Sequence, residues 1–223
     1  MEGRSYDELR TGFTAAVSHE LRTPLARILV LLESASLPGA DAHALIGQAR
    51  AEVENAGVLI DEILFLSELE SGKEIVSLTP TAARPILDEV VAGLEDSAAR
   101  AGVALRVDGE GQLPLRPRML RVVAENLAGN AIRYAGHGST FAFALAPGEL
   151  VASDDGIGVA ERDLPRLFER FYRAARARAS RGTGLGLAIV KHVVVSAGGT
   201  VEALGRRGEG LEIRCAFPTS GPA

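Results

Sequence analysis

A histidine stands at position 19 in the run Ser18-His19-Glu20-Leu21-Arg22-Thr23-Pro24-Leu25. Around it Leu9, Phe13, Val17, Leu21, Leu25, Ile28 and Leu32 recur at helical spacing, so the segment reads as an amphipathic helix. At 100° per residue, His19 points roughly 190° away from the mean direction of that apolar stripe, into water. Glu20 is placed to bond imidazole Nδ1, which raises the nucleophilicity of Nε2 and accepts its surplus proton. Thr23, at i+4, sets a hydroxyl on the same face. Pro24 has no N–H for the carbonyl of Glu20, so the helix is expected to bend just past the histidine. This is the chemistry of an imidazole nucleophile, although a single histidine on a helix is more often an ordinary surface residue.

Three further groups point to a phosphorylated ligand. Asn126, Asn130 and Arg133 fall at i, i+4 and i+7 of a helix whose other positions include Leu120, Val123, Leu127 and Ala131, giving a polar seam on an apolar element. Asn amide oxygens suit Mg²⁺, which keeps part of its water shell and prefers nucleotide phosphates as partners, and Arg133 supplies positive charge for them. Asp154-Asp155-Gly156-Ile157-Gly158 follows an apolar strand, so a carboxylate lies at a strand end, and Gly156 and Gly158 let backbone approach a flat ligand. Gly182-Thr183-Gly184-Leu185-Gly186-Leu187-Ala188 opens a helix whose free N–H groups can meet phosphate. Each has an ordinary alternative: a capped or interface Asn pair, a turn, a solvated loop.

These residues need elements to hold them. The first helix is expected from Ser5 to about Ser36, with a turn at Leu37-Pro38-Gly39-Ala40-Asp41 in which Asp41 caps the next helix. The second carries Leu45, Ala49, Val53, Ala56, Ile60, Ile63 and Leu66 and runs to about Ser71, with Gly72 as its stop. Two long helices on a short loop form an antiparallel hairpin that cannot bury both stripes alone, so a second copy and a dimeric four-helix bundle are expected; packing on the rest of the same chain is the alternative. Beyond Glu74 short strands and helices alternate: Ile75–Leu78, Val103–Val107, Thr140–Leu145, Glu149–Ser153 and a closing pair from Thr200 to Phe217 as strands, and Arg84–Arg100, Arg118–Tyr134 and Leu185–Ser196 as helices. That order predicts an α/β sandwich, a mostly antiparallel sheet backed by helices. The domains expected are 1–74 and 75–223.

Composition sets the outer bounds. The chain has 223 residues, 47% hydrophobic, enough for two small cores. A net charge of −5 without like-charge runs argues against nucleic acid or an anionic membrane as partner. No apolar run reaches the ~18–20 residues of a membrane span, so the chain reads as soluble with no direct membrane contact. Cys215 alternates with Leu211, Ile213 and Phe217 and reads as a small core residue of a strand. His43, His137 and His192 lack surroundings like those of His19.

The octapeptide around His19 resembles the H-box of the dimerisation and histidine-phosphotransfer domain of sensor histidine kinases. Glu125–Tyr134 resembles the family's N-box, with Arg133 where Lys or His is more common, and Tyr134 closes it. Asp154–Gly158 resembles the first glycine box, with Asp155 in a place often filled by Asn. Leu167-Phe168-Glu169-Arg170-Phe171-Tyr172-Arg173 resembles the F-box, and Gly182–Gly186 the second glycine box. The resemblance covers nearly the whole chain and implies an all-α hairpin followed by the histidine kinase/gyrase-type ATPase fold. It implies ATP and Mg²⁺ as cofactors, with adenine held by Asp154, the metal on Asn130, and Asn126, Arg133 and Arg173 beside the phosphates under an Arg-rich lid. His19 would be phosphorylated and would pass the group to an aspartate of a response-regulator receiver domain, the chain acting as a cytoplasmic homodimer. With Thr four residues after His19, it also implies dephosphorylation of that partner. A hinge is expected near Gly72–Thr79. A clamp ATPase of the gyrase and heat-shock chaperone type, a serine kinase of the anti-sigma type and a non-catalytic scaffold share parts of this pattern; the first two have no need of His19.

Overall fold

The computed structural model describes residues 2–71, 80–174 and 182–218. The chain divides into two units, Met1–Ser67 and Glu68–Ala223.

The first unit is a helical hairpin of α1 (Glu2–Ala35) and α2 (Ala42–Glu70). Its turn forms as the residue types dictate: Gly39 takes φ +83 and Asp41 Oδ1 accepts the Ala44 N–H at 3.0 Å, capping α2. α1 runs on through Pro24 as helix, so the proline does not end it. The broad apolar surface of each helix resolves into two stripes. Val17, Leu21, Pro24, Ile28 and Leu31 are half-buried, and Ala49 and Leu59 buried, at the 3–4 spacing of a helix seam. Glu52 interrupts that seam as a buried charge, and Arg27 bridges to it at 3.4 Å, tying the helices together. The second stripe, Leu25, Leu29 and Leu32 on α1 with Ile46, Val53, Ile60 and Leu64 on α2, is exposed. On each helix it lies roughly a quarter turn from the inner seam, and on the same flank of the hairpin.

The second unit holds β1 (Thr81–Ala82), α3 (Ala83–Ala101), β2 (Ala104–Gly109), β3 (Gln112–Leu113), α4 (Pro117–Tyr134), β4 (Thr140–Ala146), β5 (Glu149–Asp154), a 3-10 helix (Glu161–Arg166), α5 (Gly186–Ser196), β6 (Thr200–Gly205) and β7 (Leu211–Ala216). Five strands form one sheet in the order β2-β4-β5-β7-β6; β2 runs parallel to β4 and the other pairs are antiparallel. β1 and β3 make a separate two-stranded ribbon that pattern alone did not indicate. The strand expected over Ile75–Leu78 and the hinge around it lie outside the described residues.

Alternation along the strands sorts the sheet into two faces. Phe143, Leu145, Leu150, Ala152, Ile213 and Cys215 are buried on the inner face, against a layer made by α3, α4 and α5. Phe141 and Phe143 meet edge to face there, with centroids 4.8 Å apart. α3 ends on Gly102 in the left-handed region, whose N–H closes onto Ala98 and Ala99 carbonyls. Cys215 is wholly enclosed and burial pushes its thiol up to about 12, so it serves packing and not chemistry.

Candidate active site

In the hairpin, His19 is held on the outer side of α1 with its side chain 76% exposed. Nδ1 lies 3.2 Å from Glu20 Oε1, which favours the tautomer with its proton on Nδ1 and leaves the Nε2 lone pair facing solvent. Thr23 Oγ1 donates back to the His19 carbonyl at 3.4 Å, so its hydroxyl stands one turn from the imidazole.

In the second unit the site is built around the last three turns of α4. Asp154 ends β5 at an inner-face position, two residues after Ala152, so its carboxylate points between sheet and helices. Burial raises its pKa above the ordinary carboxylate value, an effect partly opposed by N–H groups of Gly156 and Leu211 and reinforced by the neighbouring Asp155 charge. Gly156 N–H donates to Asp154 Oδ1 at 2.9 Å, which sets the carboxyl's orientation. Asp155 turns the other way and accepts the Thr140 N–H at 2.6 Å, locking the loop to the start of β4.

The glycines are required by what surrounds them. A Cβ on Gly156 would run into the Ala135 carbonyl, which already accepts the Ile157 N–H at 2.9 Å. Gly158 has φ +60, and the Arg206 carbonyl fills the space beside its Cα. Gly208 donates to the Ile157 carbonyl at 2.9 Å and Gly210 to that of Gly156 at 3.1 Å. The loop is thus pinned between the end of α4 and the β6–β7 turn, a buttress that the sequence pattern did not reveal because its partners are backbone atoms distant in the chain.

α4 reaches the second glycine box as well. Asn126 donates from Nδ2 to the Val122 carbonyl at 2.8 Å and turns Oδ1 toward Gly186, into the space a Cβ there would take. The Tyr134 hydroxyl occupies the corresponding space at Gly182. Arg133 folds back to donate to the Gly129 carbonyl at 2.9 Å. Among the described residues Asn130 is half-buried and its amide makes no hydrogen bond, leaving a hard oxygen donor open. Leu185 is fully buried, and its N–H bonds Thr183 Oγ1 at 3.2 Å, so this residue contributes packing while the first-turn N–H groups of Gly186, Leu187 and Ala188 stay available. Gly184 takes φ +75 with its carbonyl accepting the Phe171 N–H at 3.0 Å, and Arg173 follows two residues on, half-buried. The structure therefore brings Asn126, Asn130, Arg133, Tyr134, Asp154, Gly156, Gly158, Gly182, Thr183, Gly184 and Gly186 to one region around α4. His19, Glu20 and Thr23 belong to the other unit. The arginines expected in a lid at 176, 178 and 181 lie outside the described residues.

A strand-end carboxylate aimed between two layers, a glycine loop against it and a free helix N-terminus beyond offer an acceptor suited to a base amino group and N–H donors suited to phosphate. Residues 9–72 match the His Kinase A (phospho-acceptor) domain, and residues 116–221 match the histidine kinase-, DNA gyrase B- and HSP90-like ATPase family. The chain belongs to the sensor histidine kinase family. Its two modules are those of a protein-histidine kinase, in the order the boxes predict.

Among its relatives, the sensor-like histidine kinase SenX3 of Mycobacterium tuberculosis is 34% identical over 220 residues, an alignment that takes in 94% of this chain and 54% of SenX3. The chain spans about half the length of the curated SenX3 relatives it matches. Of solved structures, the histidine kinase AdeS of Acinetobacter baumannii superposes with a TM-score of 0.73 at 22% identity, covering 91% of this chain and 98% of AdeS. The histidine kinase ThkA, in a complex with the response regulator TrrA, gives 0.73 at 18% identity over 97% of this chain and 64% of ThkA. At those identities the likeness is one of fold. Among the described residues no helix of this kinase core is long and apolar enough to cross a membrane.

Proposed function

We propose that the chain transfers the γ-phosphoryl group of ATP to Nε2 of His19 and then to an aspartate of a response-regulator receiver domain. The observation that carries this is the pairing, in one chain, of an exposed imidazole with a carboxylate at Nδ1 and an ATPase-type cleft around α4. Asp154 accepts the adenine amino group, and the first-turn N–H groups of α5 and Arg173 meet phosphate. Asn130 fits Mg²⁺: its amide is uncommitted, and no cluster of three or more His, Cys, Asp or Glu lies among the described residues, so phosphate oxygens and water would complete the shell. Bound there, the metal supplies charge neutralisation. Asn126 supports the start of α5 instead of touching phosphate directly.

The step itself needs little covalent help from the protein. The Nε2 lone pair forms the bond to phosphorus as the bond to the ADP oxygen breaks, and the Nδ1 proton of the resulting imidazolium passes to Glu20. Near-attack geometry demands about 3–3.5 Å between Nε2 and phosphorus, so positioning dominates the rate. Thr23, a turn beyond the imidazole, is placed to orient water for the reverse traffic, dephosphorylation of the regulator. The exposed apolar flank of the hairpin supports a homodimer as the working form, and the reaction's reliance on ATP supports a cytoplasmic location. The relation of ThkA to TrrA in their complex supports the receiver domain as partner class. The two domains are assigned to 1–74 and 75–223.

The test is autophosphorylation with γ-labelled ATP and Mg²⁺. Wild type acquires acid-labile label; His19→Gln and Asn130→Asp each acquire none, and mixing them restores label if subunits phosphorylate one another. Label that persists in the His19→Gln protein rules the proposal out.

A further inference from the structure

A second polar cluster, outside the adenine and metal contacts, sits at the exit of the 3-10 helix. The Tyr172 hydroxyl donates to Asp163 Oδ1 at 2.9 Å, and the Asp163 side chain is only 14% exposed. The Arg166 guanidinium lies over the Tyr172 ring, 4.2 Å from its centroid, and is itself held by Glu169 through Nε (3.2 and 3.1 Å to the two carboxylate oxygens) and a terminal nitrogen at 2.9 Å. Burial first and the Asp163 bond second push the Tyr172 phenol up, so it remains a donor at neutral pH. Asp163 also has Arg162 nearby at 3.8 Å.

Immediately before this tyrosine, Phe171 has φ +61, the only non-glycine residue in the left-handed region among the described residues. A bulky aromatic there is strained and persists only where its surroundings dictate it. Two fixings bracket it: its own N–H bonded to the Gly184 carbonyl, and the next residue's side chain anchored to the 3-10 helix. The chain leaves this turn in one direction, and the residue it delivers is Arg173.

We propose that Tyr172 is a positioning residue for nucleotide phosphate: its bond to Asp163, with Arg166 on its ring, holds the strained Phe171 turn so that Arg173 is presented to the phosphates. This rests on the reading of Arg173 as a phosphate contact. Tyr172 does not touch the nucleotide; it acts through its neighbour, and its loss is felt by the phosphates and not by the adenine.

The experiment measures affinity of the full chain for ATP with Mg²⁺ and for adenosine, by competition with a fluorescent nucleotide. Tyr172→Phe keeps the ring and loses one hydrogen bond, so ATP affinity falls roughly three- to tenfold while adenosine affinity stays at the wild-type value. Asp163→Ala gives the same loss, and Asp163→Asn, which retains an acceptor oxygen, recovers wild-type ATP affinity. Added to Arg173→Ala, Tyr172→Phe causes no further loss, because both act on one contact. The proposal is overturned by a Tyr172→Phe protein that binds ATP normally, loses ATP and adenosine alike, or adds its full effect to Arg173→Ala, and by an Asp163→Asn protein as weak as Asp163→Ala. Should Arg173→Ala alone bind ATP as wild type does, the reading of Arg173 falls, and the proposal with it.

Discussion

Asp154 illustrates how one residue carries opposed demands. The adenine recognition proposed for it wants an ionised acceptor, yet the inner-face position that aims it between sheet and helices also desolvates it and raises its pKa. A raised carboxylate pKa means the folded protein holds the proton more tightly than the unfolded chain. Its contribution to stability is fully present below the ordinary value of 3.8 and is lost as pH rises through the folded pKa, so at neutral pH Asp154 burdens the nucleotide-free protein. On the proposed reading of Asp154 as the adenine acceptor, bound nucleotide offsets this by donating to the carboxylate. ATP affinity is therefore expected to weaken as pH falls through a value above 3.8, with Asp154→Ala removing that acid limb and costing roughly ten- to a hundredfold in affinity at neutral pH. Nucleotide titrations across pH check both; an Asp154→Ala protein that keeps the same acid limb would assign it to another group.

At the scale of elements, the glycine loop after β5 is a joint between α4 and the β6–β7 turn, closed by backbone groups on both sides. Gly158→Ala places a side chain in the left-handed region against the Arg206 carbonyl, and is expected to destabilise the unit by about 1–3 kcal/mol and to weaken ATP binding with it. Gly93, in the middle of α3 and with nothing within 4 Å of its Cβ position, is the contrast. Gly93→Ala should stabilise by roughly 0.5–1 kcal/mol, the ordinary helix gain over glycine. Urea denaturation of the two variants distinguishes a glycine needed for its conformation from one that is merely tolerated.

For the molecule as a whole, the second apolar stripe of the hairpin calls for a covering partner. Seven large aliphatic side chains on one flank are more than solvent contact explains, and a two-fold copy of the same flank is self-complementary. Val53→Glu, central on the exposed stripe of α2, should convert a dimer to monomer in sedimentation velocity while leaving nucleotide affinity of the second unit unchanged. A variant that remains dimeric would locate the interface elsewhere.

The helices, their turn at Gly39 and Asp41, and the two family modules with their order were legible in the sequence, because helical periodicity, capping chemistry and short glycine motifs are local properties of consecutive residues. Asp154 at a strand end and His19 turned from the apolar stripe follow from spacing alone. What the periodicity blurred was the division of each apolar face into a seam and an uncovered flank, since one stripe at period 3.6 cannot say how many partners it has. Tertiary structure alone decided that Asn126 braces Gly186, that Leu185 is core, that the Ala135 and Arg206 carbonyls pin the first glycine box, and that Tyr172 reaches Asp163. Each of these is a contact between segments far apart in the chain, and such contacts exist only once the sheet order β2-β4-β5-β7-β6 and the helices upon it have brought those segments together.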